Sequence, residues 1–201
     1  MFAQIIRGKV SDSQAVDANF KRWSKELAPG AKGWLGTTGG VTDDGQLFIM
    51  VRFESEEAAR ANSERPEQDK FWSETSKQLE GEPTFKDSTD VTVEEFGDLN
   101  AAGFVQVMSG QVTDPDRAKQ LMSEMPDMRA LRPDIVGTVS VGHEDGKWTM
   151  INYFSSEAEA REGEKKEMPP EVKAVMDELM SLGAGEQEYL DLKTLWLDSP
   201  K

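Results

Sequence analysis

Aromatic side chains are the first candidates for chemistry in this sequence. Phe20, Trp23 and Trp34 are followed by the adjacent pair Phe71-Trp72. A set this dense either fills a core or walls a pocket for a flat organic molecule, because aromatic rings bring large apolar area and definite stacking geometry. Few polar residues stand near enough in the pattern to serve such a pocket. Gln4 and Gln106 occupy matching places in two similar segments, each on a strand whose same-face neighbours are apolar. A buried amide needs partners, so each either bonds the adjacent backbone or meets a ligand. Asn19 and Asn62 fall among the aromatics and could add polar contacts. The candidate ligand-binding residues are therefore Gln4, Asn19, Trp23, Trp34, Asn62, Phe71, Trp72 and Gln106. No residue is singled out as catalytic.

Several chemistries are excluded. The chain has no cysteine and a single histidine, His143, so thiolate sites, a Cys nucleophile and a multi-histidine metal centre are ruled out. His143 stands beside a turn and is expected to be exposed. No motif supports a Ser-His-Asp set, and Gly39-Gly40 leads into a turn rather than from a strand into a helix, so it is no phosphate loop. Arg60 and Arg161 recur at equivalent places and are read as surface pairs with Glu56 and Glu157. A net charge of −15 argues against a nucleic-acid or anionic-membrane partner. No apolar run reaches the roughly 18 residues of a spanning helix. The sequence opens on strand-like residues rather than a signal peptide, and a cytoplasmic protein is expected.

The elements that must position these residues occur twice. Residues 2–12, FAQIIRGKVSD, and 104–114, FVQVMSGQVTD, match at Phe, Gln, Gly, Val and Asp with identical spacing. After each strand comes a helix: Ser11 as N-cap with Gln14 as its box partner in the first copy, Asp114 with Pro115 in the second. Val16, Phe20, Trp23 and Leu27 form one buried stripe; Ala118, Leu121, Met122 and Met125 form the other. A hairpin follows, Trp34 to Thr42 with Gln46 to Glu54, and Ile135 to His143 with Lys147 to Ser155. Each turns on an Asp-Gly pair. Ser55 and Ser156, both followed by acids, start a second helix, which Pro66 or Pro169-Pro170 interrupts. A last strand closes each half, at 84–93 and 188–197, and residues 94–103 read as a linker.

The order β-α-β-β-α-β, given twice, is the ferredoxin-like arrangement of an antiparallel sheet with helices on one face. The expected division is 1–97 and 98–201. The first strand of each half is apolar on both sides, so both faces should be covered. Packing the bare sheet faces of the two halves on one another would satisfy this. The fold class expected is α+β, two ferredoxin-like repeats forming one intramolecular, pseudo-dimeric α/β barrel.

The stretch GWLGTTGGVTDDGQLFIMVRFESEEAARAN at 33–62, the Phe71-Trp72 pair and the doubled element order together resemble the dimeric α/β-barrel superfamily. Within it, the chain is similar to the antibiotic-biosynthesis-monooxygenase-like (ABM-like) group, in its two-copy, single-chain form. The resemblance implies a cavity between helices and sheet. It also implies kinship with cofactor-free quinol monooxygenases and haem-degrading monooxygenases. The haem degraders use a helix histidine, and the corresponding stretches here, NSERPEQDKFW and GEKKEMPPEVKAVM, contain none. No cofactor and no metal are therefore expected. The leading expectation is a protein that binds a small aromatic ligand, in the manner of a cofactor-independent monooxygenase on a quinol-like substrate. The alternative is a non-catalytic scaffold or carrier whose interior is filled by Trp23 and Trp72. A ligand-sensing regulatory module ranks last, because no helix-turn-helix or basic surface accompanies the repeats.

Overall fold

The computed structural model describes residues 1–200. The first repeat runs β1 (Phe2–Lys9), α1 (Ser13–Glu26), β2 (Trp34–Val41), β3 (Gln46–Phe53), α2 (Glu56–Ser63), α3 (Pro66–Ser76), β4 (Thr84–Ser88) and β5 (Val91–Glu95). The second runs β6 (Phe104–Gln111), α4 (Pro115–Ser123), β7 (Ile135–Gly142), β8 (Lys147–Phe154), α5 (Glu157–Glu164), α6 (Pro170–Ser181), β9 (Glu188–Leu192) and β10 (Thr194–Asp198). The duplication therefore holds element for element. The fold is α+β, built from two ferredoxin-like repeats.

Each sheet is antiparallel and five-stranded, in the orders β10-β2-β3-β1-β4 and β5-β7-β8-β6-β9. The sequence predicts one closing strand per repeat; the structure divides that strand in two and sends the second piece to the other sheet. The division falls at Thr89-Asp90, where Asp90 N donates to Ser88 Oγ, and at Lys193. Strand β10 pairs with β2, Trp196 opposite Gly39 and Leu195 opposite Gly40. This gives Gly39-Gly40 a role beyond leading into a turn: a Cβ on Gly40 would stand 2.5 Å from the Thr194 carbonyl, so only glycine admits the strand. By compactness the chain forms two units, 1–91 with 190–201, and 92–189.

Local signals mostly specify these elements. Ser55 caps α2 through Ala58 N and Ser156 caps α5 through Glu159 N, satisfying helix-end donors. Asp114 caps α4 with Pro115 in the first turn. The cap of α1 differs from expectation. Asp12, not Ser11, accepts from Gln14 N and Ala15 N; the Ser11 hydroxyl instead donates to the Gln78 carbonyl. Helix α4 ends at Ser123, about a turn earlier than α1. Met122, placed in the buried stripe by spacing, is consequently 41% exposed. Leu121 alone of that stripe is fully buried.

In the first unit the core lies between α1, α2, α3 and one sheet face, around Phe2, Ile6, Val16, Phe20, Trp23, Ile49 and Phe71. The opposite face of the same strands is buried as well. Ala3, Ile5, Phe48 and Met50, which alternate with the helix-facing residues, are at most 2% exposed.

Candidate functional site

A cavity of about 290 Å³ opens in the first unit, between the helices and the sheet. Its floor is the helix-facing side of the strands, Gln4 and Ile6 from β1, Thr37 from β2, Ile49, Val51 and Phe53 from β3. These residues share a face because strand side chains alternate and directly opposed partners point the same way; Gln4 stands opposite Val51 and Ile6 opposite Ile49. Phe20 and Trp23 of α1 and Phe71 and Trp72 of α3 form the walls, with Phe85 of β4 beside them.

The aromatic rings are interlocked. Phe20 meets Phe71 edge-on at 5.7 Å, Trp23 meets Trp34 at 5.2 Å, and Trp72 meets Phe85 at 5.4 Å. Such edge-to-face pairs stabilise beyond their burial, so the walls are held by each other rather than by a ligand.

The polar atoms of the cavity have assigned directions. Arg65 Nη1, which can only donate, stands 2.8 Å from Asn62 Oδ1. The Asn62 amide therefore turns its oxygen away and keeps its N–H groups for the cavity. Asn62 is only 7% exposed. Trp34 Nε1 donates to Thr37 Oγ1 at 3.0 Å, which leaves the Thr37 hydroxyl proton to give. Gln4 Nε2 donates to Asp87 Oδ1 at 2.9 Å, leaving the Gln4 carbonyl as an acceptor. Among the described residues, Asp69 is the one ionisable residue lining the space.

No protein-family model and no curated protein matches the sequence. Solved structures do match over the whole chain. A candidate monooxygenase of Lactobacillus acidophilus NCFM superposes with a TM-score of 0.78 at 15% identity, covering 98% of this chain and 95% of its own. A second, from Fusobacterium nucleatum, gives 0.80 at 11% identity, with coverages of 98% and 94%. An anthrone oxidase-like protein gives 0.69 at 12% identity, with 98% and 92%. The fold is the one these three proteins share.

Within this fold, the residues singled out from sequence divide clearly. Gln4, Trp23, Asn62, Phe71 and Trp72 come together on the cavity. Trp34 is 6% exposed and stands behind Trp23, backing the wall without lining it. Asn19 is half-buried on α1 and does not line the cavity. Gln106 lies on β6, in the second unit. Sequence reasoning missed Gln68, Thr37 and Phe85 of the lining, and Trp196 behind Phe20. Gln68 carried one signal, its place a helical turn before Phe71. Trp196 carried none, because nothing local shows that the last strand joins the first sheet.

The second repeat of the chain holds different groups at the equivalent place. Gly163 takes the position of Asn62, seven residues after the cap serine in both copies. The guanidinium of Arg132 lies over Gly163, so close that a Cβ there would collide with it. Arg132 is bonded to both oxygens of Asp134, at 3.0 and 2.8 Å, and sits 5.7 Å from the Phe154 ring. Burial alone would raise the Asp134 carboxyl, but the hydrogen bonds and charge of Arg132 outweigh it and hold the group below its ordinary value. Opposite Gln106 stands Asn152 in place of Val51, and it donates to Met108 Sδ at 3.4 Å. His143, expected to be exposed, is half-buried. Its Nε2 lies 3.0 Å from Thr149 Oγ1, because β8 brings a threonine alongside the turn.

Proposed function

We propose that the first unit binds a small, flat, uncharged aromatic molecule and oxygenates it without a cofactor. The observation that carries this reading is the cavity itself, four aromatic walls around a few oriented amide and hydroxyl groups. Its volume is near the lower end of the roughly 300–1,000 Å³ of ligand sites. Trp23 and Trp72, which would fill the interior of a mere scaffold, line an open space instead. The likeness over the whole chain to two candidate monooxygenases and an anthrone oxidase-like protein points the same way.

In such a site the substrate supplies its own electrons. A proton leaves an activated CH₂ or phenol, and the resulting anion passes one electron to O₂. The two radicals then join as a C–O bond, and the hydroperoxide loses water to leave a new carbonyl. The balance is CH₂ + O₂ → C=O + H₂O. Asn62 would hold the developing oxyanion with its N–H groups, a role in which oriented donors stabilise charge without rearranging. Asp69 at the rim would take the proton, and the aromatic walls would exclude water.

Titration with anthrone and with a naphthoquinol, followed by tryptophan fluorescence and oxygen uptake, tests this. Saturable quenching with uptake of one O₂ per product carbonyl is expected. Quenching without uptake would make the protein a carrier, and the absence of both would overturn the reading.

A further inference from the structure

Gln68 stands in the first turn of α3, and its side-chain amide has one admissible orientation. Trp23 Nε1–H can only donate, and it lies 2.7 Å from the Gln68 amide oxygen. The oxygen is thereby committed to the indole. The Nε2 group, with two N–H donors, has no partner among the described residues, and Gln68 and Trp23 both line the cavity. Arg65 orients Asn62 in the same sense. Two amide nitrogens therefore offer donors from the helix side, while the Gln4 carbonyl opposite them is left as acceptor by its bond to Asp87.

We propose that Gln68 is a specificity-determining residue and that it selects aryl ketones, presenting its N–H to the ligand carbonyl. This rests on the ligand-binding reading of the cavity and narrows it. A donor left unmatched against an apolar ligand costs more than one that is paired, so the site discriminates against the hydrocarbon of equal shape. The same bond that fixes Trp23 as a wall fixes the polarity of Gln68, which ties the fit of the ring to the reading of its oxygen.

Two probes of one shape test the assignment: α-tetralone, which carries a carbonyl, and tetralin, which does not. Dissociation constants are measured by quenching of tryptophan fluorescence. The ketone is the better hydrated of the two, so without a hydrogen bond in the cavity tetralin would bind more tightly. With Gln68 donating, the wild type is expected to hold α-tetralone about tenfold more tightly, the yield of one hydrogen bond in a desolvated place.

Gln68→Glu keeps an oxygen for Trp23 but replaces the donor with an acceptor, and should reverse the preference. Gln68→Met removes donor and acceptor together and should abolish it. A preference for the ketone retained in both variants overturns the assignment, and either variant alone suffices should the other fail to fold. Equal binding of both probes to the wild type also defeats it while leaving the cavity a ligand site. Binding of neither probe defeats the ligand-binding reading itself.

Discussion

The indole of Trp196 lies flat on the ring of Phe20, with centroids 4.4 Å apart and planes 12° apart. Its Nε1 donates to Asp17 Oδ1 at 2.8 Å, and the Ser24 hydroxyl meets the Asp198 carboxylate. Strand β10 is thus clipped to α1 at three positions, Asp17, Phe20 and Ser24, spread over about two turns of the helix. Phe20 also meets Phe71, and both line the cavity, so Trp196 is the support behind the wall.

Removing that support should be costly in two measurements. Trp196→Ala is expected to lose about 3–5 kcal/mol in urea denaturation, as for large aromatic truncations in cores, and to weaken aromatic ligands. Trp196→Phe keeps the stack and loses only the bond to Asp17, about 1 kcal/mol. Full loss of stability with unchanged affinity for the ligand would show that Trp196 supports the fold and not the site.

Arg65 joins three elements, donating to the Leu27 carbonyl at 3.2 Å, to Asn62 Oδ1 and to Glu67. Arg65→Met should cost about 1–3 kcal/mol, since Asn62 is left buried with an unmatched oxygen. It should also reduce ligand affinity by freeing the amide to turn. Gly30→Ala should act in the same direction, because its Cβ would land 2.5 Å from Arg65 Nη2. Combining the two should cost less than the sum, which a double-mutant cycle in thermal denaturation checks.

In the second unit the Arg132–Asp134 pair sets an acid limit. The folded-state carboxyl of Asp134 lies below its ordinary value, so the pair contributes stability above the unfolded Asp value of about 3.9. That contribution is lost as pH falls through the lower folded value. Side-chain exposures of 16% and 6% place the pair largely out of water. Arg132→Met therefore leaves an unpaired buried carboxylate, at a cost of about 3 kcal/mol at neutral pH. Circular dichroism against pH should show the variant unfolding at a higher pH than the wild type.

The two repeats should bind unequally. With Gly163 in place of Asn62 and a guanidinium lying over it, isothermal titration should give one aromatic ligand per chain. Gln4→Ala is expected to reduce affinity about fivefold through loss of one partly solvated contact. Gln106→Ala should leave it unchanged. Equal effects of the two substitutions would mean that both repeats carry a site.

Much of this was legible in the sequence, for identifiable reasons. The repeat, the two hairpins and the serine caps at Ser55 and Ser156 depend on short-range chemistry that residue identity alone expresses. Five of the eight candidate site residues meet on one cavity because helical and strand periodicity determine which face each one takes. The choice of Asp12 over Ser11 as cap was not legible, since both are good caps and the carbonyl of Gln78 decides between them. Nor was the splitting of each closing strand. Thr89-Asp90 and Lys193 look like ordinary strand residues, and only pairing partners distant in sequence reveal the crossing. Gln68 and Trp196 were missed for the same reason: their importance lies in a bond or a stack with residues far along the chain.

Synthesis runs from N- to C-terminus, and the strand that flanks β2 leaves the ribosome only after β6 to β9 of the second repeat. Until Trp196 emerges, Phe20 has a bare ring and Gly39-Gly40 an unoccupied groove, however complete the rest of the first unit has become. A chain truncated before residue 190 should accordingly be cut by proteases within its first unit, and should become resistant only when residues through Asp198 are present and free of the ribosome.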